Sequence, residues 1–341
     1  MMFRRIFIVS FLVFSLMSCL DEYNVPIQQL TEQLVVEARL TDEDVTPTLR
    51  LSVTTQFGTA STYKPVQGAL VRITDNTGKA VVFRSSPTQP GYYLPSDLKF
   101  RGQPANTYTL SIILPDGRVF ESVPETMPAS VPIQNVRAQF QGPITEGKVT
   151  EPGYKVFVDV QDPKSTQNYY RWTAWGVHKR KSTGVRVSFT GVCCDVCWVR
   201  KDDNAVNMFS DAGVDGSTLK GRLVFLSPFY YYGKHHVEVT QYNISRNTFQ
   251  FWRRYQEQLQ RTGTIFDPIP APVVGNITNK ANPTELALGY FEVASVSKKR
   301  LVIPGDTLVG KLMPNSLFVQ EGDCMAAYQY SLYDIFPPPG W

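Results

Sequence analysis

Histidine is scarce in this chain, with three in 341 residues, at His178, His235 and His236. So small and scattered a set leaves little for imidazole catalysis or a histidine-built metal centre. His235 and His236 are adjacent, and on a strand they point to opposite faces, so only one could serve a shared site. A surface or satisfied-core role is the expectation for all three. Also missing are a Ser-His-Asp order, a nucleophile elbow and a glycine loop that would cradle phosphate. Carboxylate pairs such as Asp202-Asp203 sit in polar loop sequence. The loop from Asp211 to Asp215 could hold calcium, but the spacing of an EF-hand is absent. Excess charge of either sign is lacking, with 34 basic against 30 acidic side chains. Without a basic run interleaved with aromatics, this balance argues against a nucleic-acid partner. The expectation is therefore of a chain with no catalytic residues, no metal and no cofactor.

A membrane-spanning run is lacking too. Ile6 to Met17 is apolar apart from Ser10 and Ser15, but it is too short and wrongly flanked for a spanning helix, which needs roughly 20 residues. Behind Arg4 and Arg5 it reads instead as the apolar part of an export signal. Its end, Leu16-Met17-Ser18-Cys19, looks like the lipobox of a bacterial lipoprotein signal peptide. On that reading residues 1–18 are removed and Cys19 carries covalent acyl chains, the only attached group expected. An ordinary secretory signal with an incidental Cys19 is the alternative. Cleavage removes two arginines and no acid, lowering the formal charge from +4 to +2 over the remaining 323 residues. Residues 19–33 form a polar tether, and Asp21-Glu22 resembles the acidic export signal of surface-exposed lipoproteins in Bacteroidota.

What the chain has in quantity is aromatics and turn formers: 17 Tyr, 20 Phe, 5 Trp and 24 Pro. Short apolar stretches between Pro and Gly signals predict a mostly β protein. Leu34 to Leu40, Thr48 to Val53, Val66 to Thr74, Ala80 to Phe83, Gly91 to Leu94, Thr107 to Leu114 and Val119 to Ser122 follow one another at strand length. Asp75-Asn76-Thr77-Gly78 and Pro115-Asp116-Gly117 supply turns. This pattern predicts an immunoglobulin-like or transthyretin-like β-sandwich over residues 34–127. Pro65 to Ile73 resembles the opening of carboxypeptidase-regulatory-like domains. Met127 to Ile133, with Pro128 and Pro132, marks a boundary. A second β-rich domain is expected over 133–341, with strands at Val136 to Phe140, Tyr154 to Val160, Tyr169 to Trp175, Val185 to Phe189, Arg222 to Phe225 and His236 to Tyr242. One helix interrupts it near 246–261, with Ser245 as N-cap and Phe249, Trp252, Tyr255 and Leu259 on one face, expected against its own core. Strands resume at Val273 to Thr278, Leu286 to Val293 and Leu301 to Ile303.

Two clusters carry chemical interest. With Cys19 lipidated, four cysteines remain: Cys193, Cys194, Cys197 and Cys324. An even number in an oxidising compartment favours structural disulfides. Zinc bound by Cys-x-x-Cys with His235, His236 or Cys324, or a redox dithiol, is the competing reading. Bonding of the vicinal pair is strained, so Cys324 is expected to join one member of the cluster. The second cluster is Phe229-Tyr230-Tyr231-Tyr232, between Pro228 and Gly233. Four consecutive aromatics on an extended chain cannot all face one core, which makes the run a candidate contact surface. Burial of alternate rings between strands is the competing reading. Asp306-Thr307-Leu308 further resembles an acceptor motif for periplasmic O-glycosylation.

The order of the lipobox, Leu34-Val35-Val36-Glu37, Pro65 to Ala69, Tyr169-Tyr170-Arg171-Trp172, Cys197-Trp198, Phe251-Trp252, Phe266-Asp267-Pro268, Gly275-Asn276-Ile277 and Leu288-Gly289-Tyr290-Phe291 resembles a family of Bacteroidota outer-membrane lipoproteins described only as a domain of unknown function (DUF4249-like). Members are often encoded beside TonB-dependent receptors. The resemblance implies a lipid-anchored, surface-exposed outer-membrane protein that acts as a non-catalytic accessory of such a receptor. Its partner would be the receptor itself or a small-molecule, glycan or peptide ligand. A structural or adhesive surface lipoprotein without a transporter is the alternative, and a metal-dependent enzyme ranks last.

Overall fold

Alternation sets the first strand, β1 (Leu34–Thr41): Leu34, Val36, Ala38 and Leu40 are buried while Glu37 and Arg39 face outward. Such a period of two gives one apolar face, which must be covered. In the computed structural model, which describes residues 32–55, 63–142, 144–145, 148–187, 191–193, 195–203, 205–260, 273–305, 321–328 and 331–333, that face is covered by curling the sheet on itself. The described residues of 33–54 and 63–333 belong to one unit.

The strands that follow are β2 (Leu49–Val53), β3 (Leu70–Asp75), β4 (Ala80–Ser85), β5 (Tyr92–Pro95), β6 (Thr107–Ile113) and β7 (Val119–Ser122). They pair antiparallel in the order β1-β2-β5-β4-β3-β6-β7. The second region contributes β8 (Ile133–Gln141), β9 (Gly153–Gln161), β10 (Tyr169–Lys181), β11 (Val196–Asp202), β12 (Thr218–Pro228), β13 (His235–Asn243), helix α1 (Arg246–Leu259), β14 (Val274–Asn279), β15 (Leu286–Ile303), helix α2 (Cys324–Ala327) and β16 (Ser331–Tyr333). The protein is mostly β, as its composition predicts. Among the described residues no helix is long and apolar enough to cross a membrane.

The strands of 34–127 do not close on themselves. β14 pairs with β7, the first half of β15 pairs with β14, and β15 then runs parallel to β1 from Val35↔Leu288 to Thr41↔Ala294. A β-barrel-like ring of nine strands results, filled by Leu40, Leu51, Phe83, Tyr93, Leu110, Phe120 and Phe291 among others. The layout expected from sequence, a sandwich followed by an independent domain, differs from this: a segment beyond residue 270 completes the first ring. Two glycines make the closure sterically feasible. A Cβ on Gly289 would lie 2.1 Å from the Val36 carbonyl oxygen, and one on Gly275 would lie 1.9 Å from the Gly289 oxygen. Gly289 also has φ +82°, in the left-handed region.

The second half of β15 leaves the ring and pairs antiparallel with β13, from Asn243↔Ser295 to His235↔Ile303. β13 pairs with β10, β10 with β11, and β11 with β16. A separate sheet, β8-β9-β12, packs its apolar face on this one. Between them lie Val156, Val158, Tyr170, Trp172, Phe225 and Val237. β15 is thus one strand that serves two cores.

Candidate functional site

Helix α1 begins where its sequence says it should: the Ser245 hydroxyl accepts from the Thr248 N–H at 3.1 Å. The same hydroxyl donates to Glu125 Oε2 at 2.6 Å, which fixes the helix start to the ring side. Phe251 is the buried anchor of the helix, its ring 4.6 Å from that of Tyr290 on β15. Phe249 and Trp252 pack, partly buried, on Tyr169, Tyr242 and Ala294. The far end of the expected apolar stripe is different: Tyr255 is 38% and Leu259 58% exposed. A helical stripe cannot distinguish a core from a cleft, and here its last turns pass out of the core.

They pass over a cleft of about 640 Å³ bounded by α1, β1, β2 and the first half of β15. Arg39, Arg50, Tyr92, Trp252, Tyr255 and Gly289 line it. Its charges are balanced: Arg50 Nη2 donates to Glu37 Oε1 at 2.7 Å, and Arg39 Nε lies 2.9 Å from Glu292 Oε1. The Arg50 guanidinium also sits 4.7 Å from the Tyr63 ring centroid and 6.0 Å from that of Tyr92. The surface thus offers aromatic faces, planar hydrogen-bonding groups and no net charge among these four ionic side chains.

Beneath the cleft lies a buried ionic cluster. Glu292 Oε1 accepts from Arg171 Nη2 at 2.8 Å, and Oε2 accepts from Trp252 Nε1 at 2.6 Å. Arg171 is sandwiched between Tyr242 at 4.3 Å and Trp252 at 4.6 Å. Burial pushes the Glu292 carboxyl up, but Arg171, Arg39 and the Trp252 hydrogen bond outweigh it and hold the group down at about 2. A second buried carboxylate, Glu125, accepts from Ser245, from the Tyr290 hydroxyl at 2.7 Å and from Asn276 Nδ2 at 3.5 Å. It has hydrogen bonds where Glu292 has guanidinium partners, and burial pushes its pKa up. Trp252 and Tyr290 therefore reach from the cleft wall to carboxylates of opposite tendency.

The residues singled out in the sequence fall elsewhere. Phe229 is 1% exposed and belongs to the core, among Phe140, Tyr154 and His235. That removes it from the candidate contact surface. Tyr230, Tyr231 and Tyr232 are partly exposed. Arg180 lies 3.7 Å from the Tyr230 ring centroid, and the Tyr230 hydroxyl bonds to Glu151. Cys197 and Cys324 form a disulfide with Cα atoms 5.4 Å apart, one of the pairings the cysteine count left open. Cys194 and the Cys193 side chain lie outside the described residues, as do Cys19 and Asp306-Thr307-Leu308. His178 and His235 stack with ring centroids 6.2 Å apart, while His236 turns the other way against Trp198. His235 Nδ1 is 2.8 Å from Ser227 Oγ, but both residues are buried.

The order of motifs along the chain has a counterpart among known families. The model described as Domain of unknown function (DUF4249) matches residues 20–300. The chain belongs to that family. No curated protein matches it. The DUF4249 match takes in the ring portions of all nine strands, helix α1 and the whole ionic cluster. Within this DUF4249 segment, sequence reading missed Arg39, Arg171 and Glu292. The signal was present: Arg171 stands in Tyr169-Tyr170-Arg171-Trp172 and Glu292 in Tyr290-Phe291-Glu292-Val293, each a lone charge in a run otherwise fit for burial. Two lone charges of opposite sign in such runs are candidates for each other.

Proposed function

We propose that this DUF4249 chain is a lipid-anchored, surface-exposed outer-membrane protein that serves a TonB-dependent receptor as a non-catalytic accessory, and that it meets the receptor's substrate at the cleft beside α1. The observation that carries this reading is the cleft's lining. The exposed Tyr255 and the half-buried Tyr92 and Trp252, beside paired Arg and Glu side chains, suit a neutral polar ligand with apolar faces, such as a glycan. Rings stack on the sugar's C–H face while the guanidinium and carboxylate groups take its hydroxyls. Arg50 is engaged by Glu37 and Arg39 by Glu292, so an anionic ligand would compete with a carboxylate at either guanidinium. The lipobox ending at Cys19 supports the anchor, and the family's gene neighbourhood supports the receptor.

The test is co-purification of the tagged full-length protein from its native outer membrane, followed by titration with neutral oligosaccharides. A TonB-dependent receptor is expected with the wild type, and Cys19→Ala is expected to leave the membrane fraction. Tyr255→Ala with Arg50→Ala should weaken oligosaccharide binding at least tenfold while the melting temperature holds, because both side chains reach solvent. Absence of an acyl label and of any receptor would overturn the accessory role. Unchanged oligosaccharide binding by the double variant would overturn the cleft.

A further inference from the structure

At the far end of the second sheet from the disulfide, three carboxylates converge. Asp162 directly follows β9, and Asp211 and Asp215 lie in the loop that follows the short strand Asn207–Ser210. One oxygen from each lies within 4.8 Å of the others. Oxygens that ligate one Ca²⁺ at roughly 2.3–2.6 Å are at most about 5 Å apart, so the spread suits a common ion. Among the described residues none of the three forms an ion pair with Lys or Arg.

The backbone holds the cluster open in a particular way. Asp162 accepts from the Tyr170 hydroxyl at 2.6 Å through Oδ1 and from the Gly216 N–H at 3.0 Å through Oδ2. Asp211 Oδ2 accepts from the Asn168 N–H at 2.8 Å. Asp215 meets the Ser165 N–H with both oxygens at 3.0 Å. Gly213 and Gly216 turn the loop in the left-handed region, at φ +90° and +70°.

The independent observation is Asp211 Oδ1. Asp211 is 1% exposed, yet no N–H or hydroxyl donates to this oxygen, and its carboxylate meets that of Asp162. A buried carboxylate oxygen without a donor destabilises the fold, and two further carboxylates beside it add repulsion. A hard cation would supply the missing partner and balance the charge.

We propose that Asp162, Asp211 and Asp215 bind one calcium ion, which ties the loop Asp211–Ser217 to the end of β9. Carboxylate oxygens without nitrogen or sulfur donors select a hard cation, and a loop of mixed turns tolerates the irregular coordination that Ca²⁺ accepts and Mg²⁺ does not. The site is separate from the cleft, and its test does not depend on the cleft's ligand.

The purified full-length chain, stripped with EGTA, is titrated with CaCl₂ by calorimetry and by thermal unfolding. One Ca²⁺ per chain is expected, with a Kd of about 10⁻⁴–10⁻³ M or tighter, the range of extracellular modules. The melting temperature should rise with Ca²⁺ concentration, as ligand binding to the folded state requires. Asp215 is exposed, so Asp215→Asn should fold with an unchanged melting temperature in EGTA but bind Ca²⁺ at least tenfold more weakly. Asp211→Asn should abolish the response. The proposal is overturned if the wild type binds no Ca²⁺ at about 10 mM, well above that range. It is equally overturned if Asp215→Asn binds as the wild type does, or if Mg²⁺ produces the same response.

Discussion

Arg171 Nη2 and Glu292 Oε1 stand 2.8 Å apart with side chains only 5% and 4% exposed, and they join β10 of the second sheet to the ring half of β15. Removing one partner of such a pair strands the other. Glu292→Gln should therefore cost about 3–5 kcal/mol in urea unfolding. Arg171→Met combined with Glu292→Leu should cost less than that single change, because the buried guanidinium goes with its partner and Arg39, 40% exposed, can turn to solvent. If the double variant loses the sum of what Arg171→Met and Glu292→Leu cost singly, the two side chains are not energetically coupled.

Acid should act in two windows. Burial depresses the pKa of His178 and of His235, the latter to about 3, and also that of His236. The unfolded chain then binds protons that the folded chain refuses. Stability is full above the ordinary histidine value near 6.5 and falls as pH drops below it, by up to about 1.4 kcal/mol per pH unit per histidine. Glu292 acts lower: its pKa is held down at about 2, so its stabilisation is present above the ordinary carboxylate value and is lost as pH falls from there through about 2. Urea midpoints at pH 7.5, 5.5 and 4 should decline in that order, and His235→Gln should flatten the upper window. A midpoint that is level from pH 7.5 to 5 would refute the histidine contribution.

Two glycines separate strain from collision. Gly78 and Gly289 both have left-handed φ, +87° and +82°, but a Cβ on Gly78 meets nothing within 4 Å. Gly78→Ala should cost about 1 kcal/mol for the backbone conformation alone. Gly289→Ala adds the collision with Val36 and should cost at least about 3 kcal/mol or prevent folding. Equal costs measured by chemical unfolding would mean that β1 and β15 can move apart freely.

The disulfide is testable by mass. Non-reducing peptide mapping should recover Cys197 linked to Cys324, which span 127 positions and are both fully buried beside Val199 and Tyr328. Cys324→Ser should lower stability by about 2–5 kcal/mol, the usual range for a native bridge. A map with Cys324 on Cys193 or Cys194 would contradict this pairing.

Much of the fold was legible. Alternating apolar residues located most strands, and Ser245 located the helix start. The sequence of β15 reads as two strands, Leu286 to Val293 and Leu301 to Ile303. The intervening Ser295-Val296-Ser297-Lys298-Lys299-Arg300 looks like a polar connection. In the structure it stays in register with β13, and Lys298 and Arg300 pair with Glu43 and Glu238. Which strands pair was not legible, because a period of two specifies a face and never a neighbour. The cleft was hidden for the same reason. Tyr255 on a stripe and Arg50 on a strand look ordinary until β1, β2 and α1 are brought together.

The parallel pairing of Val35 with Leu288 sets an order of events as well as a shape. For a chain emerging N-terminus first, β1 through β7 can associate early, yet their outer edges keep unpaired N–H and C=O groups until Val274–Ala294 arrives. Contacts so distant in sequence make folding slow. A chain truncated near residue 270 would not be a shorter version of this protein. It would be an open sheet with two adhesive edges, and its fate would be aggregation.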